Sequence, residues 1–267
     1  MKKFLLTLTV MLAVCACGCS KIQGPTTETN TPVTLNSYEK ILKNGEIKIA
    51  TVSNSKPMSF KDAEGDYKGF EIDLGREIAK RILGKPELAT FIETSSAGRI
   101  EIVDSGKADI VIATTTINPQ RKIFVDFTNP YYTASLAILA PAESKVFTVA
   151  DLQDKKIGVV AGTTSEKSAK TLAPNATIIA RETFNQSTDD LIAKNVDVVF
   201  QDDALILGFL QDHKSEYKML PLKLTVEPYG IAVKRTEDKT LRNSIDLILD
   251  EMRSDGTLAQ LKQKWKI

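Results

Sequence analysis

The 267-residue chain contains a single histidine, His213, and no cysteine after Cys19. A chain body with one histidine and no cysteine offers neither the ligand set of a zinc site nor a Cys–His pair for nucleophilic catalysis. The 35 lysines and arginines almost balance the 34 aspartates and glutamates. Because no excess of positive charge is present to attract phosphates, nucleic acid is not an expected partner. The sequence predicts no metal site and no cofactor.

Long apolar runs are also missing, except at the start, where "FLLTLTVMLAVCACGC" follows two lysines. This arrangement favours the core of a signal peptide over a membrane span. Within it, "AVCAC" resembles the lipobox of bacterial lipoproteins, because small Ala16 precedes Cys17. Cys19 fits that pattern less well, and chance cysteines in a cleaved signal are the alternative. We predict a signal peptide over residues 1–16 and a lipid on Cys17.

The next stretch, "SKIQGPTTETNTPVTLN", is rich in threonine, proline and asparagine and poor in apolar residues. Such a composition is typical of a flexible tether. We therefore predict that residues 17–36 link a lipid anchor to a folded body. The expected location is the extracytoplasmic face of a bacterial membrane.

From residue 46 the chain alternates short apolar runs with helical patterns, and the order occurs twice. In the first unit, "FEIDLGREIAKRIL" has apolar residues at helical spacing, and the apolar runs around it are typical of strands. The second unit runs from "KIGVVAG" to "VDVVFQD". A repeated β-α-β-α-β order predicts two α/β lobes with parallel sheets. The C-terminal segment predicts one more strand, "YGIAVKR", and two helices that pack on an existing lobe.

Polar residues follow the predicted strands, and in open α/β sheets ligands bind outside the carboxyl ends of the strands. Residues placed there by the pattern are Lys56, Thr114, Thr116, Thr163, Thr164 and Asp202. Hydroxyls, one cation and one anion then converge on a cleft between the lobes. This layout suits the binding of a small zwitterion better than nucleophilic catalysis.

Two of the candidates could bind a carboxylate. Arg121 follows Asn118 and Pro119, a good start for a short helix, and a guanidinium can meet a carboxylate bidentately. A solvated arginine is the alternative. Thr163 and Glu166 have the spacing of a capping box. A cap there leaves first-turn N–H groups, including that of Thr164, free to hold an anion.

The remaining charged candidates are Asp202 and Arg99. Asp202 closes the apolar run "VDVVFQD", where an unpaired carboxylate is costly and a ligand ammonium would relieve that cost. A helix N-cap is the alternative role, for which Asp203 is equally suited. Arg99 lies near the start of a short predicted helix. It is either a surface charge or a group that reaches into the cleft.

Several ordered motifs resemble the solute-binding proteins of amino-acid ABC importers, family 3, from about residue 38 to 267. The motifs are "GFEIDLGREIAKRI", "TTTINPQRKIFVDFTNPYY", "VAGTTSE", "VDVVFQDD", "EPYGIAVKR" and "MRSDGTLAQLKQKW". The resemblance implies a periplasmic-binding-protein type II-like fold in which two hinge strands join the lobes. Lobe 1 would comprise residues 37–133 and 233–267, and lobe 2 residues 134–232. The protein would be a monomer that closes around a free L-amino acid and delivers it to membrane permease subunits.

The resemblance also implies roles for individual residues. Arg121 would hold the α-carboxylate of the ligand, together with the backbone N–H of Thr164. Asp202 would bind the ammonium group, with the Thr116 hydroxyl and the Thr114 carbonyl completing its shell.

The side-chain pocket differs from that of glutamine- and basic-amino-acid-binding members, which place an aromatic residue shortly after the first strand. Here the stretch after the first predicted strand, "TVSNSKPMSF", contains no aromatic residue until Phe60. "AGRIEIV" is similar to the Asn-Arg-Ile-Pro segment of acidic-amino-acid binders, with Gly98 and Glu101 in place of Asn and Pro. The resemblance at Arg99, together with the positive charge of Lys56, therefore predicts glutamate or aspartate as the ligand, with glutamine as a further possibility.

Two other functions fit the same fold. A cyclohexadienyl dehydratase needs a carboxyl group as general acid, and Asp202 is the obvious candidate. An aspartate facing an ammonium should stay ionised, so we expect no enzymatic activity. A sensory module would continue into a transmembrane segment and a signalling domain, which we do not expect here.

Overall fold

A computed structural model describes residues 35–222 and 224–267. The predicted signal peptide, Cys17 and most of the predicted tether lie outside the described residues. At the start of the described part, the Asn36 side chain accepts a hydrogen bond from the Glu39 N–H at 2.9 Å, and the Glu39 carboxylate accepts one from the Asn36 N–H at 2.9 Å. This capping box begins the first helix, so Asn36, predicted as the end of the tether, contributes to the folded body.

The described residues form fourteen strands, eight α-helices and three short 3₁₀ turns. The helices are α1 (Ser37–Asn44), α2 (Phe70–Leu83), α3 (Arg99–Asp104), α4 (Thr164–Leu172), α5 (Phe184–Ile192), α6 (Asp203–His213), α7 (Thr240–Ser254) and α8 (Thr257–Trp265). The strands up to the first interlobe connection are β1 (Ile47–Thr51), β2 (Asn54–Ser55), β3 (Ser59–Lys61), β4 (Tyr67–Lys68), β5 (Ala89–Glu93), β6 (Ile110–Val111) and β7 (Val125–Phe127). The later strands are β8 (Tyr132–Pro141), β9 (Lys156–Val160), β10 (Thr177–Arg181), β11 (Val198–Asp202), β12 (Tyr217–Met219), β13 (Val226–Tyr229) and β14 (Ala232–Lys234). The 3₁₀ turns are Pro86–Leu88, Arg121–Ile123 and Val149–Leu152.

Two sheets organise these elements into two lobes. Lobe 1 contains a five-stranded sheet with the order β5-β1-β6-β14-β7, in which β1 runs parallel to β5 and β6. Lobe 2 contains a six-stranded sheet with the order β10-β9-β11-β8-β12, in which β9 runs parallel to β10 and β11. Both parallel cores follow the predicted repeat, and antiparallel strands extend each sheet.

Two chain segments pass between the lobes. The first enters β8 after Tyr131, and the second leaves β13 at Tyr229 and continues into β14. β8 and β13 pair antiparallel, with Tyr132 opposite Tyr229. The sequence analysis predicted two crossing strands but identified only the second half of the return segment, as "YGIAVKR". The exact residues that divide the lobes remain predictions.

The C-terminal helices pack on lobe 1, as predicted. The Trp265 indole N–H donates to Asp73 Oδ2 of α2 at 2.8 Å, and Arg81 Nη2 of α2 donates to Asp255 Oδ2 at 2.7 Å. Ile245, Leu249 and other apolar residues of α7 complete the buried core. The chain end is thus fixed to the lobe in which the chain begins.

One predicted strand is much shorter in the structure. "ADIVIATTT" predicts a strand that reaches the threonines, whereas β6 contains only Ile110–Val111. The reason is the backbone of Thr114, which has a φ of +45° and turns the chain out of the sheet. The threonine run therefore forms a loop at the carboxyl edge of the lobe 1 sheet.

Within the described residues, none of the helices combines the length and apolar character that a membrane crossing requires.

Candidate functional site

A small cavity lies between the carboxyl edges of the two sheets. Lobe 1 contributes Asn54, Ser55, Ser96, Arg99, Thr114 and Thr116, and lobe 2 contributes Val160, Thr163, Thr164, Phe184, Gln201, Asp202 and Leu205. Six of the eight predicted binding residues are therefore brought together. Arg121 and Lys56 are not among the residues that line this cavity.

Asp202 is a buried acceptor that lacks a full set of partners. It ends β11 and is 6% exposed. Its Oδ2 accepts a hydrogen bond from the Tyr229 hydroxyl, whereas its buried Oδ1 has no partner among the described residues. Burial raises the pKa of Asp202 to about 7, against the opposing effect of the Tyr229 hydrogen bond. The alternative role as a helix cap is not observed, because the side chain makes no capping bond.

Arg99 is the donor that matches this acceptor. It begins α3 and is 2% exposed, so it is not a surface charge. Its Nη1 donates to the carbonyls of Ala113 at 2.8 Å and Thr114 at 3.1 Å, and its buried Nε has no partner among the described residues. Burial lowers the pKa of the guanidinium, and the charge of Asp202 opposes that shift.

The Thr114 carbonyl, predicted to accept from a ligand ammonium, already accepts from Arg99 at 3.1 Å. Because a carbonyl oxygen can accept a second hydrogen bond, its contact with the ligand stays a prediction. The Thr114 N–H donates to Glu71 Oε1 at 2.6 Å, and Glu71 also accepts from the Ser59 and Tyr131 hydroxyls. These bonds hold Thr114 in its left-handed conformation, in which its carbonyl faces the Arg99 guanidinium.

Arg121 connects the lobes at the mouth of the cavity. Asn118 Oδ1 accepts from the Arg121 N–H at 2.9 Å, but the 3₁₀ turn begins at Arg121 after Gln120, so the predicted helix start at Asn118 and Pro119 is wrong by two residues. Its Nη1 donates to the Thr116 carbonyl at 2.8 Å, and its Nη2 donates to the Gly162 carbonyl of lobe 2 at 3.3 Å. Burial lowers the pKa of Arg121 to about 9, and the nearby charge of Arg99 adds to the shift. An anion between the two arginines would relieve this repulsion.

The first turn of α4 faces the cavity from lobe 2. Thr163 is its N-cap, accepting from the Glu166 N–H at 3.3 Å, as predicted. Glu166 departs from the predicted capping box, because its Oε2 accepts from the N–H of Gly162 at 2.9 Å rather than from that of Thr163. The Thr164 hydroxyl donates to Glu227 Oε2 at 2.9 Å. The Thr164 side chain thus points at β13. Its N–H lies in the first turn of α4, where backbone N–H groups have no acceptor within the helix.

Lys56 is placed differently from the prediction. Its ammonium lies 3.8 Å from Asp212 Oδ2 of α6, and the side chain is about half exposed. Lys56 therefore lies beside the cavity and not in its lining, and its predicted contact with the ligand stays a prediction.

The lobes touch on both sides of the cavity, at two glycines of lobe 2. A Cβ at Gly162 would lie 2.8 Å from the Cα of Ala97, and a Cβ at Gly208 would lie 2.6 Å from the carbonyl oxygen of Lys56. Real Cβ atoms do not approach backbone so closely. The structure is therefore a closed arrangement that only glycine permits at these positions.

Comparison with known proteins identifies the family. The model of the bacterial extracellular solute-binding proteins, family 3, matches residues 47–266. The chain belongs to this family.

Individual family relatives agree in fold and in length. The ABC transporter glutamine-binding protein GlnH of Bacillus subtilis (strain 168) is 31% identical over 263 residues, which cover 98% of this chain and 94% of GlnH. The crystal structure of the ancestral amino acid-binding protein AncCDT-1, a precursor of cyclohexadienyl dehydratase, is 33% identical with a TM-score of 0.80 and covers 86% of this chain and 99% of that chain. The cysteine-binding protein from Campylobacter jejuni is 28% identical with a TM-score of 0.82, over 86% and 93% of the two chains. The predicted type II fold is confirmed.

In this family-3 protein, sequence analysis missed three buried polar groups beside the cavity. Glu71, Glu227 and Tyr229 each bond to a predicted site residue: Thr114, Thr164 and Asp202 respectively. For Glu71 a signal exists, because it lies between Phe70 and Ile72 on the buried face of α2. A carboxyl in that position needs hydrogen-bond partners. Glu227 lies in the part of β13 that the sequence pattern did not indicate, and Tyr229 is the first residue of the predicted strand "YGIAVKR".

In the described part of the chain, no group of three or more His, Cys, Asp or Glu side chains is arranged to hold a metal ion.

Proposed function

We propose that this family-3 protein is the substrate-binding component of an amino-acid ABC importer that captures a polar amino acid, with glutamate or aspartate preferred. One observation carries the proposal: Asp202 and Arg99 line one cavity and have opposite charge, and each has a buried side-chain atom, Oδ1 and Nε respectively, that lacks a partner among the described residues. Buried polar atoms are normally paired, so each needs a ligand group. A zwitterion with a polar side chain supplies both an ammonium donor and an oxygen acceptor.

The main-chain end of the amino acid lies at the mouth of the cavity in this proposal. The ammonium binds Asp202 Oδ1 and the Thr116 hydroxyl, which line the same cavity. The α-carboxylate lies against Arg121 and the N–H groups that begin α4, including that of Thr164. Arg121 supports this placement, because it joins the carbonyls of Thr116 and Gly162 and so lies at the junction of the two lobes.

The side chain of the ligand then extends towards Arg99, whose free Nε requires an acceptor. A carboxylate satisfies this donor and lowers the repulsion between Arg99 and Arg121. Glutamine is the second candidate, since its amide oxygen also accepts and GlnH, 31% identical, is named as a glutamine-binding protein. The charges of Arg99 and Asp202 cancel within the cavity lining. The cavity can therefore also accept a ligand whose side chain is uncharged.

A thermal-shift screen of the twenty common amino acids tests the proposal. A ligand present at 100 times its Kd stabilises the folded protein by about 2.7 kcal/mol. We expect glutamate or aspartate to produce the largest shift and glutamine a smaller one. A screen in which no amino acid raises the melting temperature would contradict the proposed function.

A dehydratase is the alternative, and one observation favours it. A carboxyl with a pKa near 7, as burial gives Asp202, is in the range of a general acid, and AncCDT-1 is described as a precursor of such an enzyme. We had expected Asp202 to remain ionised, but that argument holds only while an ammonium is bound. Dehydration of a carboxylated cyclohexadiene, followed by ultraviolet absorbance of the aromatic product, separates the two functions.

Lipid anchoring at Cys17 is part of the proposal and rests on the sequence. Cys17→Ser is expected to release the protein from membranes into the aqueous phase of a detergent-partition assay, because the acylated thiol is lost. Cys19→Ser is the matched control and should leave the protein with the membranes. Release by Cys19→Ser alone would move the attachment site to that residue.

Closure of the lobes around the ligand predicts a specific effect of Gly208→Ala. In the interior of α6, alanine is favoured over glycine by about 0.5–1 kcal/mol, so the ligand-free protein should melt no lower than wild type. In the closed form, the added Cβ meets the Lys56 carbonyl at 2.6 Å. Overpacking of this kind costs about 1–3 kcal/mol, which corresponds to about 5- to 150-fold in ligand affinity.

Calorimetric titration measures the expected loss of ligand affinity. Thermal melting without ligand measures whether the stability of the protein is retained. Leu207→Ala, a neighbouring exposed position on α6, is the control and should bind the ligand normally. A Gly208→Ala protein that melts lower than wild type but binds as tightly would show that the contact supports the fold rather than limits closure.

A further inference from the structure

A second chamber, of about 150 Å³ and open to solvent on the side of Lys56 and Asp212, adjoins the ligand cavity. Asn54, Phe184 and Leu205 line both spaces, so their side chains are the wall between them. We refer to this second chamber, which Lys56, Asn185, Gly208, Phe209, Asp212 and His213 also line, as the annex. Phe184 is the largest residue of the wall and is 5% exposed.

The annex has the chemistry of a site for an organic cation. The ring of Phe209 stacks on His213 at a centroid distance of 4.2 Å, and Phe184 meets Phe209 edge-on at 6.4 Å. The carboxylate of Asp212 lies in the same chamber. An aromatic surface beside a carboxylate is a combination that binds guanidinium and ammonium groups.

The chain supplies that cation itself. Lys56 enters the annex from lobe 1, and its Nζ lies 3.8 Å from Asp212 Oδ2. The backbone of Lys56 is close to α6, because the carbonyl oxygen lies within 2.6 Å of the position that a Cβ on Gly208 would take. The Lys56 ammonium therefore occupies the place at Asp212 that the head group of a long basic ligand requires.

We propose that Phe184 and Lys56 determine the specificity of the site by excluding arginine and lysine from the annex. Phe184 blocks the passage from the ligand cavity. Beyond it, the Lys56 ammonium lies at the Asp212 carboxylate and repels other cations from it. The inference rests on the proposed amino-acid binding, which it deepens. It also gives Lys56 a role opposite to the one expected from sequence: the residue rejects positive ligands and does not attract negative ones.

Phe184→Ala combined with Lys56→Met opens the wall and removes the resident cation. We expect arginine and lysine affinity, measured by calorimetry and by competition, to rise at least about tenfold over wild type, the gain available from one cation–aromatic or ion-pair contact. Adding Asp212→Asn should remove most of this gain, because the carboxylate is its source. Leu207→Ala is the control on α6 and should change no affinity.

Three outcomes overturn the inference. One is a wild-type protein that binds arginine or lysine more tightly than glutamate, aspartate and glutamine, because the annex would then be open. Another is a folded double variant that still binds the wild-type ligand but gains no affinity for basic amino acids. If the double variant does not fold, Phe184→Leu with Lys56→Met is tested against the same two criteria. The third is a wild-type protein that binds no amino acid, which contradicts the proposed function as well.

Discussion

Asp202→Asn is expected to weaken amino-acid binding by about 30- to 4,000-fold and, at the same time, to stabilise the ligand-free protein above pH 7. Removing one partner of a buried charge pair costs about 2–5 kcal/mol, and each 1.4 kcal/mol is tenfold in affinity. The binding loss follows because the asparagine amide cannot balance the charge of the ligand ammonium. The gain in stability has a separate cause in the ligand-free site.

That cause is the pKa of Asp202, which burial raises from 3.8 to about 7. Between these values the folded protein binds more protons than the unfolded chain. The contribution of this carboxyl to the free energy of unfolding therefore falls as the pH rises from about 4 to about 7. The attraction of Arg99 opposes the shift but does not reverse it. Asparagine does not titrate, so the advantage of Asp202→Asn should grow with pH over this window.

The same pKa predicts a pH dependence of binding. A ligand ammonium requires ionised Asp202, so binding below pH 7 must release a proton. Ligand affinity should then fall by up to about tenfold for each pH unit below 7, as linkage requires for one proton. Asp202→Asn should abolish this dependence.

Urea denaturation at pH 5 and pH 8, together with calorimetric binding in buffers of different ionisation enthalpy, measures all three effects. Asp203→Asn is the neighbouring control. Its carboxylate accepts from the N–H groups of Ser135 and Ala204, so it should affect stability without removing the pH dependence of binding. A ligand-free Asp202→Asn protein that is less stable than wild type at pH 8 would contradict this prediction. It would show that the attraction of Arg99 fully offsets the cost of burying the ionised Asp202 carboxylate.

The main features of the site could be predicted from sequence because they depend on strand order. Asp202 ends an apolar strand and Thr163 begins a helix, and both positions follow from local patterns. Parallel topology then brings strand ends to one edge. Arg99, Thr116 and Thr164 reached the same cavity for this reason.

The errors concern contacts between residues that are distant in sequence. Glu71 controls the conformation of Thr114, 43 residues away, and Asp212 draws Lys56 out of the cleft. Neither partner can be chosen from spacing, because the first contact depends on how α2 packs within lobe 1 and the second on how closely the two lobes approach. The length of β6 was missed for the same reason: the left-handed Thr114 that ends it is held by a tertiary hydrogen bond and not by a local signal.

Arg99→Leu is expected to lower the affinity for glutamate or aspartate by about 2 kcal/mol, or about 30-fold, and to narrow or reverse their advantage over glutamine. A hydrogen bond to a charged group contributes about 1.5–3 kcal/mol, and the loss of the cation leaves the ligand carboxylate buried without a counter-charge. Arg99 also donates to the carbonyls of Ala113 and Thr114, so the substitution removes structural bonds too.

The ratio of the two affinities separates these roles. Distortion of the site through the two carbonyls would weaken acidic ligands and glutamine equally, whereas loss of the contact to Arg99 weakens the acidic ligands more than glutamine, because a carboxylate also loses its counter-charge. Arg121→Leu is the matched control, because in this proposal it contacts the α-carboxylate that every amino acid carries and should leave the ratio unchanged. Competition calorimetry on wild type and both variants gives the ratios directly. If Arg99→Leu lowers both affinities by the same factor, Arg99 acts on the ligand only through the loop of Thr114, and the preference for acidic ligands must come from elsewhere in the cavity.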